Sequence, residues 1–318
     1  MAGWEHSERF EIMNKIAPIA LFAYNRPWHV AQTIEALKKN ELCDASDLIV
    51  FSDGAKDQDS SQKVEEVRRY LRAISGFKSV KVIERECNLG LGPAIISGVT
   101  QVINEYGRVI VMEDDLVTSP FFLRYMNDAL ECYENENKVI SIHGYCYPIA
   151  ELPETFFLRG ADCLGWATWK RGWDLFEENG RELLDKLEQE NLISRLDLFG
   201  AYNFSQMLRD QIAGKNSSWA VRWYGAAVLK NKLTLYPGQS LVFHIGSDGS
   251  GTNCSSSDIL DVVLCDRLVK IGTAEVYENL FAFKRFQNFL RKINNPSWIG
   301  RLKIKIGQKV NLLKNIYA

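Results

Sequence analysis

Three consecutive carboxylates, Glu113, Asp114 and Asp115, follow a run of large apolar residues that reads VIVM. Burying such a cluster of charges without compensation costs several kcal/mol per ion, so the acids need either solvent or a cation. Mg²⁺ and Mn²⁺ take oxygen ligands and are commonly shared between one or two carboxylates and the phosphates of a substrate. The triplet therefore predicts a metal site that also binds phosphate; the alternative is a solvated acidic loop.

The apolar run before the acids is one of five short runs that predict buried parallel strands, at 19–24, 48–52, 80–85, 109–112 and 139–143. Helical patterns separate them at 30–39, 61–74, 92–105 and 120–133. This alternation predicts an α/β sheet with right-handed crossovers. Ligands of such sheets bind outside the carboxyl ends of the strands. In this chain the segments there are polar or glycine-rich, at 25–27, 53–54, 88–92 and 113–115.

The second half of the chain is less regular. Residues 163–176 hold three tryptophans, 177–198 are charged and predicted to be helical, and 219–230 and 233–236 predict a helix and a strand. The segment GSDGSGTNCSSS at 246–257 predicts a flexible polar loop that suits closure over a ligand.

The segment VIVMEDDLVTSPFFLRYMNDAL (109–130) resembles the metal-binding segment of GT-A glycosyltransferases. It is especially similar to that of N-acetylglucosaminyltransferase I and of bacterial family-2-like sugar transferases. Three more segments resemble family segments in the same order: ALFAYNRP at 20–27, IVFSDG at 49–54 and CLGWATW at 163–169. The resemblance implies a Rossmann-like, mixed but mostly parallel sheet flanked by helices.

The resemblance also implies roles for individual residues. Asp115 is expected to ligate the metal, Asp114 to contact the sugar or ribose, and Glu113 to support them. The other residues expected at the nucleotide sugar are Ala23 and Asn25 in the first strand and the loop beneath the nucleotide, Arg26 near the diphosphate, Asp53 on the uracil edge, Asn88 and Gly90 at a helix start, and Gly165 and Trp166 in the sugar and acceptor wall.

His244, in LVFHIG, lies where many GT-A enzymes have a late metal-ligating histidine, and imidazole can complete a Mn²⁺ shell. The alternative is a structural histidine after an apolar strand.

An inverting transferase also needs a carboxylate base one hydrogen bond from the acceptor hydroxyl. The resemblance implies an acid at, or a little before, the start of the helix that begins here at 217–220, but that start has no acid. We therefore predict the nearest upstream carboxylate, Asp210, as the base, with Asp174 in reserve; the alternative for either is a surface charge.

Charge is distributed unevenly along the 318 residues, whose formal net charge is −2. Residues 280–318 carry nine Lys or Arg and no acid, interleaved with aromatic and aliphatic residues. That pattern fits an amphipathic helix on an anionic membrane surface; the alternative is a basic helix packed on the domain. The rest of the chain is acidic, which excludes a uniform nucleic-acid binder.

We therefore expect an extension at 1–15, a GT-A domain at 16–260 with a nucleotide half (16–150) and an acceptor half (151–260), and a basic helical appendage at 261–318. The expected protein is a Mn²⁺- or Mg²⁺-dependent inverting glycosyltransferase that moves a sugar from a UDP- or dTDP-sugar to a glycan or lipid-linked acceptor. Without an apolar leader or span, we expect it in the cytoplasm, or peripheral at the plasma membrane. The alternatives are a nucleotidyltransferase that makes sugar nucleotides, disfavoured because no glycine-rich lysine motif follows the first strand, and an inactive sugar-binding homologue.

Overall fold

A computed structural model describes residues 16–246, 248 and 259–294. The predicted N-terminal extension, most of the predicted loop at 246–257, and residues 295–318 of the basic tail lie outside this part of the chain. The strands are β1 (Ile19–Ala23), β2 (Asp47–Ser52), β3 (Ser79–Glu84), β4 (Arg108–Glu113), β5 (Leu116–Thr118), β6 (Val139–His143), β7 (Thr155–Arg159), β8 (Trp166–Trp169), β9 (Leu233–Pro237) and β10 (Val242–His244).

The helices lie between and after these strands. They are α1 (Pro27–Leu37), α2 (Gln58–Arg72), α3 (Leu91–Tyr106), α4 (Phe122–Cys132), α5 (Lys170–Trp173), α6 (Gly180–Gln189), α7 (Ile193–Leu196), α8 (Phe204–Ile212), α9 (Ala220–Leu229) and α10 (Leu280–Ile293). A short 3-10 turn covers Cys43–Ala45.

Eight strands form one sheet in the order β3-β2-β1-β4-β8-β6-β9-β7. The first four are parallel, β8 is antiparallel to both β4 and β6, β9 is parallel to β6, and β7 is antiparallel to β9. Strands β5 and β10 form a separate antiparallel pair. The predicted fold class, a mixed and mostly parallel sheet flanked by helices, is confirmed.

Alternating residues of β1 place the core on both faces of the sheet. Ile19 and Leu21 pack in one buried cluster with residues of α1, α2 and α4, and Ala20 and Phe22 pack in another with residues of α3. A third buried cluster joins helices α6 to α10 in the second half of the chain. Helices on both faces explain why these strands are apolar throughout rather than alternating.

Two elements differ from the predictions for the second half. The tryptophan segment forms the interior strand β8, which the sequence did not predict. The single helix predicted at 177–198 is two helices, because Asn191 adopts a left-handed backbone (φ 55°) after α6 and the chain turns before α7.

Helix α10, the first part of the basic tail, packs on the domain. Its buried residues Ala282, Phe283, Phe286 and Leu290 belong to the third cluster. Arg195 lies over the Phe283 ring and is ion-paired with Glu278, just before the helix. The apolar face that would bind a lipid surface is therefore occupied by protein. In the described part of the chain, no helix combines the length and apolarity needed to cross a bilayer.

Candidate functional site

The three acids lie at the carboxyl edge of the sheet, in the short connection from β4 to β5. β4 ends at Glu113, and Asp114 and Asp115 follow before Leu116 begins β5. Asp114 and Asp115 are both buried, with 3% and 7% of their surface exposed. These carboxylates are therefore largely removed from solvent, and other groups must compensate their charge.

Arg26 supplies most of this compensation from the turn between β1 and α1. Its Nη2 atom donates to Asp114 Oδ1 and, at 2.9 Å, to Asp115 Oδ2. The backbone N–H of Tyr24 donates to the other oxygen of Asp114 at 3.1 Å, and the Thr33 hydroxyl donates to the Asp114 carbonyl at 2.8 Å. The start of α1 is thus fixed directly over the acids.

The acids differ in their proton affinity because their surroundings differ. Burial, with the charges of Asp115 and Asp114, raises the pKa of Glu113 to about 8. Burial also raises the pKa of Asp114, although Arg26 opposes the shift. For Asp115, burial is outweighed by hydrogen bonds from His244 and Arg26 and by their charges, which lower its pKa. Asp115 is therefore the acid held most firmly as a carboxylate.

His244 reaches Asp115 because β10 pairs with β5, placing His244 opposite Leu116. Its Nε2 atom lies 3.2 Å from Asp115 Oδ2, and the N–H of Ile245 donates to the Asp115 carbonyl at 2.9 Å. A Cβ atom at Gly246 would lie 2.3 Å from the same carboxylate oxygen, so this glycine leaves room for whatever Asp115 binds. The predicted metal residues Asp115 and His244 are thus adjacent.

The donor set fits a divalent ion of the predicted kind. Carboxylate oxygens and one imidazole nitrogen are suitable Mn²⁺ ligands, and the pair of buried carboxylates already holds a cation, the Arg26 guanidinium. Over residues 16–246, 248 and 259–294, no group of three or more acidic, histidine or cysteine side chains is placed so that it could hold a metal ion. An ion here would take its other ligands from water and substrate phosphate, as Mg²⁺ commonly does.

Asp53 directly follows β2, the strand that pairs with β1, and lies in a loop that is hydrogen-bonded to the start of α3. Both of its carboxylate oxygens accept backbone N–H groups, from Leu89 at 3.0 and 3.1 Å and from Gly90 at 3.0 Å. Asn88 donates to the Gly54 carbonyl, and a Cβ atom at Gly54 would lie 2.5 Å from the Cys87 backbone. Of these bonds Oδ1 accepts one and Oδ2 accepts two, so Oδ1 keeps the capacity to accept a second hydrogen bond from an imide N–H.

Gly165 and Trp166 occupy the same edge because β8 runs antiparallel, with Trp166 opposite Val111. The Trp166 ring, however, is fully buried and packs 5.6 to 5.8 Å from the rings of Trp173, Trp219 and Trp223. The prediction that this ring forms a substrate wall is therefore corrected: its surface is already covered by other aromatic rings. Gly165, with φ 62° and a Cβ position 2.7 Å from Val242, is a position where only glycine fits.

Asp174 lies at the wrong edge of the sheet for a base. The N–H of Lys170, directly after β8, donates to the Gly107 carbonyl before β4, so this end of β8 lies one strand length, roughly 20 Å, from the acids. Asp174 lies one helical turn further on, ion-paired with Lys170 at 2.6 Å. A base must reach the reacting hydroxyl within about one hydrogen bond, so the reserve prediction of Asp174 is wrong.

Asp210 lines a cavity of about 830 Å³ between α8 and the end of α10. Its carboxylate accepts from Gln206 at 3.1 Å and lies 3.4 Å from Lys215 Nζ. Asn216 lines the same cavity, and the next residue, Ser217, contacts Gly92 in the first turn of α3. The segment that follows the cavity therefore packs near the start of α3, and among the described residues no contact joins Asp210 to the acid triplet. Its role stays a prediction.

Asp162 is a carboxylate that the sequence did not single out. It precedes the CLGW segment and accepts a hydrogen bond from the Tyr236 hydroxyl at 2.6 Å, beside the carboxyl ends of β6 and β9. The signal available in the sequence was its position three residues before Gly165. Asp162 is therefore a further carboxylate at the carboxyl edge of the sheet, in the half of the chain where we expect the acceptor to bind.

Comparison with known proteins gives a family match over less than half of the chain. Residues 19–157 match the family model described as Glycosyl transferase family 2. The match, together with the eight-stranded mixed sheet, supports a GT-A, Rossmann-like fold. No curated protein sequence matches the chain.

One solved structure with similarity to the chain is the mannosyltransferase PcManGT from Pyrobaculum calidifontis in complex with GDP-Man and Mn²⁺. The sequence identity is 12% and the TM-score 0.30, over 46% of this chain and 43% of that chain. This chain therefore matches less than half the length of that protein.

Proposed function

We propose that this protein is a metal-dependent, inverting glycosyltransferase that moves a sugar from a UDP- or dTDP-sugar to a hydroxyl of a glycan or lipid-linked acceptor. The observation that carries the proposal is the pair of buried carboxylates, Asp114 and Asp115, held by one cation at the carboxyl edge of a sheet that the family model matches. We further propose that its product is a bacterial surface polysaccharide or lipopolysaccharide.

The residues of the site support a division of labour. Asp115 and His244 would hold Mn²⁺ or Mg²⁺, which as a Lewis acid neutralises charge on a departing diphosphate. Arg26 would bind the diphosphate, and the amides at the start of α3 would add hydrogen bonds to it. Asp53 would accept from the imide N–H of the base.

The nucleotide selectivity follows from this last contact, because uracil and thymine offer an imide N–H and guanine offers a differently shaped edge. We expect UDP to bind at least tenfold more tightly than GDP, which corresponds to about 1.4 kcal/mol. The test is calorimetry with both nucleotides, followed by a panel of nucleotide sugars with and without Mn²⁺. Metal-dependent release of UDP from a UDP-sugar supports the proposal. Pyrophosphate release from UTP and a sugar phosphate would indicate a nucleotidyltransferase, and binding without turnover would indicate an inactive homologue.

Asp210 is our proposed base, because it lines a cavity together with Asn216, and the next residue, Ser217, lies near Gly92 at the start of α3. Asp210→Asn is expected to lower the turnover rate by roughly 10²–10⁴ and to leave donor affinity nearly unchanged, since the lost interaction belongs to the transition state. Asp162→Asn is the matched comparison, since Asp162 is a further carboxylate in the half of the chain where we expect the acceptor to bind. If Asp162→Asn loses turnover and Asp210→Asn does not, the base is Asp162. NMR of the product tests inversion at the anomeric carbon independently.

A membrane-surface position for the enzyme is a separate proposal, and it now depends on residues 295–318. These carry five of the nine basic residues after position 280 and lie outside the described part, whereas the apolar face of α10 packs on the domain. Binding to vesicles with and without anionic lipid, for the full chain and a chain ending at Asn294, tests this.

A further inference from the structure

We propose that Arg26 is the resident counter-ion of the metal site: in the donor-free protein its guanidinium contacts Asp114 and Asp115 in the space that a metal ion held by Asp115 would enter, and it exchanges onto the diphosphate when metal and donor bind. This inference rests on the proposed function and adds a coupling between the two ligands. It concerns how the site is held before any substrate is present.

The first argument is the geometry of the contact. Arginine usually meets a carboxylate with two nitrogens side by side, each donating to one oxygen. Here one nitrogen, Nη2, contacts one oxygen from each of two carboxylates, Asp114 Oδ1 and Asp115 Oδ2. This nitrogen thus lies as a single positive centre between two carboxylate oxygens. The guanidinium therefore occupies the place of an ion and leaves its paired, fork-like geometry unused.

The second argument is that the two cations exclude each other. The oxygens that Nη2 contacts are the ones that face the shared space, and Asp115 Oδ2 also lies 3.2 Å from His244. Gly246 lies beside the same oxygen, and a Cβ atom there, 2.3 Å from it, would fill the space that the cation uses. Within residues 16–246, 248 and 259–294, both hydrogen bonds from the guanidinium go to these two carboxylates. A divalent ion thus enters only as the guanidinium leaves.

The third argument is that the Arg26 guanidinium has an alternative anionic partner, the diphosphate of the donor. Arg26 has a fixed backbone, because its carbonyl accepts from Val30 as the first hydrogen bond of α1 and Pro27 follows it. Its side chain is 19% exposed, and residue 26 follows β1 at the same carboxyl edge of the sheet as Asp53 and the start of α3. A diphosphate offers the paired oxygens that suit the fork. Metal and nucleotide should therefore bind cooperatively, each raising the affinity of the other by the same factor.

The experiment measures Mn²⁺ affinity from the electron paramagnetic resonance signal of free Mn²⁺, with and without saturating UDP. Arg26→Met keeps the length of the stem and removes the charge. Without UDP, we expect Arg26→Met to bind Mn²⁺ at least tenfold more tightly than the natural protein. We also expect UDP to strengthen Mn²⁺ binding at least tenfold less in the variant, because both cation competition and the phosphate contact are lost. Arg124→Met, which removes an exposed arginine on α4, should change neither quantity.

A second variant keeps the test decisive if Arg26→Met folds poorly. Arg26→Lys retains the competing charge and loses the fork, so Mn²⁺ binding without UDP should stay within about threefold of the natural protein while the gain from UDP falls. Equal or weaker Mn²⁺ binding by Arg26→Met, or tenfold tighter binding by Arg26→Lys, would overturn the exchange. The proposed function fails separately, if no UDP-sugar binds or turns over while the Mn²⁺ effect of Arg26→Met is present.

Discussion

Asp115→Ala is expected to reduce sugar transfer by about 10³-fold or more, because it removes the carboxylate held most firmly as an anion at the end of β4. A metal that neutralises a departing diphosphate contributes several kcal/mol of transition-state stabilisation, and about 4 kcal/mol corresponds to a 10³-fold change in rate. Mn²⁺ affinity should fall in the same variant, and EDTA should abolish transfer by the natural protein until Mn²⁺ or Mg²⁺ is restored.

Asp115→Ala should still fold. The substitution removes hydrogen bonds to Arg26 and His244 but also relieves the repulsion that helps to raise the pKa of Glu113 to about 8. We expect the free energy of unfolding in urea to change by no more than about 1 kcal/mol. Asp174→Asn, at the opposite edge of the same sheet, is the matched control and should retain full activity. Full activity of the natural protein in a chelator would refute the metal assignment.

Trp166→Ala is expected to lower the free energy of unfolding by about 3–5 kcal/mol, the usual cost of deleting a fully buried aromatic ring. The ring has no exposed surface and contacts three other tryptophans, so its removal leaves a cavity on the face of the sheet that carries α3 and α9. Equilibrium unfolding in urea measures the change. Trp28→Ala removes a tryptophan that is 59% exposed and should cost less than about 0.5 kcal/mol.

Trp166→Phe separates a core role from the ligand contact that the resemblance implies. A phenyl ring keeps much of the packing, so UDP-sugar affinity should remain within about twofold of the natural protein. A large loss of UDP-sugar affinity at unchanged stability would instead place the Trp166 ring against the substrate, as the resemblance implies.

The parallel half of the sheet was predictable because its strands are continuous apolar runs separated by amphipathic helices. The predicted strand at 139–143 coincides with β6, and the others differ by a residue or so at their ends. Helix α2 begins earlier than predicted because Asp57 and Ser60 form a capping box there. The acid triplet was also predictable, since ligand-binding residues follow the carboxyl ends of such strands.

The second half was harder to predict because it depends on pairing between residues far apart in the chain. Strand β8, reading WATW, has no run of branched residues, and its place between β4 and β6 follows from contacts with both. The tryptophans matched a substrate wall in type and order, yet composition alone does not distinguish a ring that lines a cleft from one packed against other rings. Asp174 was misplaced for the same reason, because its position depends on the unpredicted direction of β8.

The strand order also has a consequence for how the chain assembles as it is synthesised. Strands β1 to β4 pair among themselves and are complete once residue 113 has been made, whereas β4 acquires its second neighbour only when β8 emerges. Until then β4, which reads RVIVME, presents an open edge of the kind that recruits strands from other chains. Arg108 and Glu113 place one charge at each end of that run, as gatekeeping residues do in aggregation-prone segments. The carboxyl-terminal member of that pair, Glu113, belongs to the acid triplet, so we expect one residue of the site to limit aggregation of the nascent sheet as well.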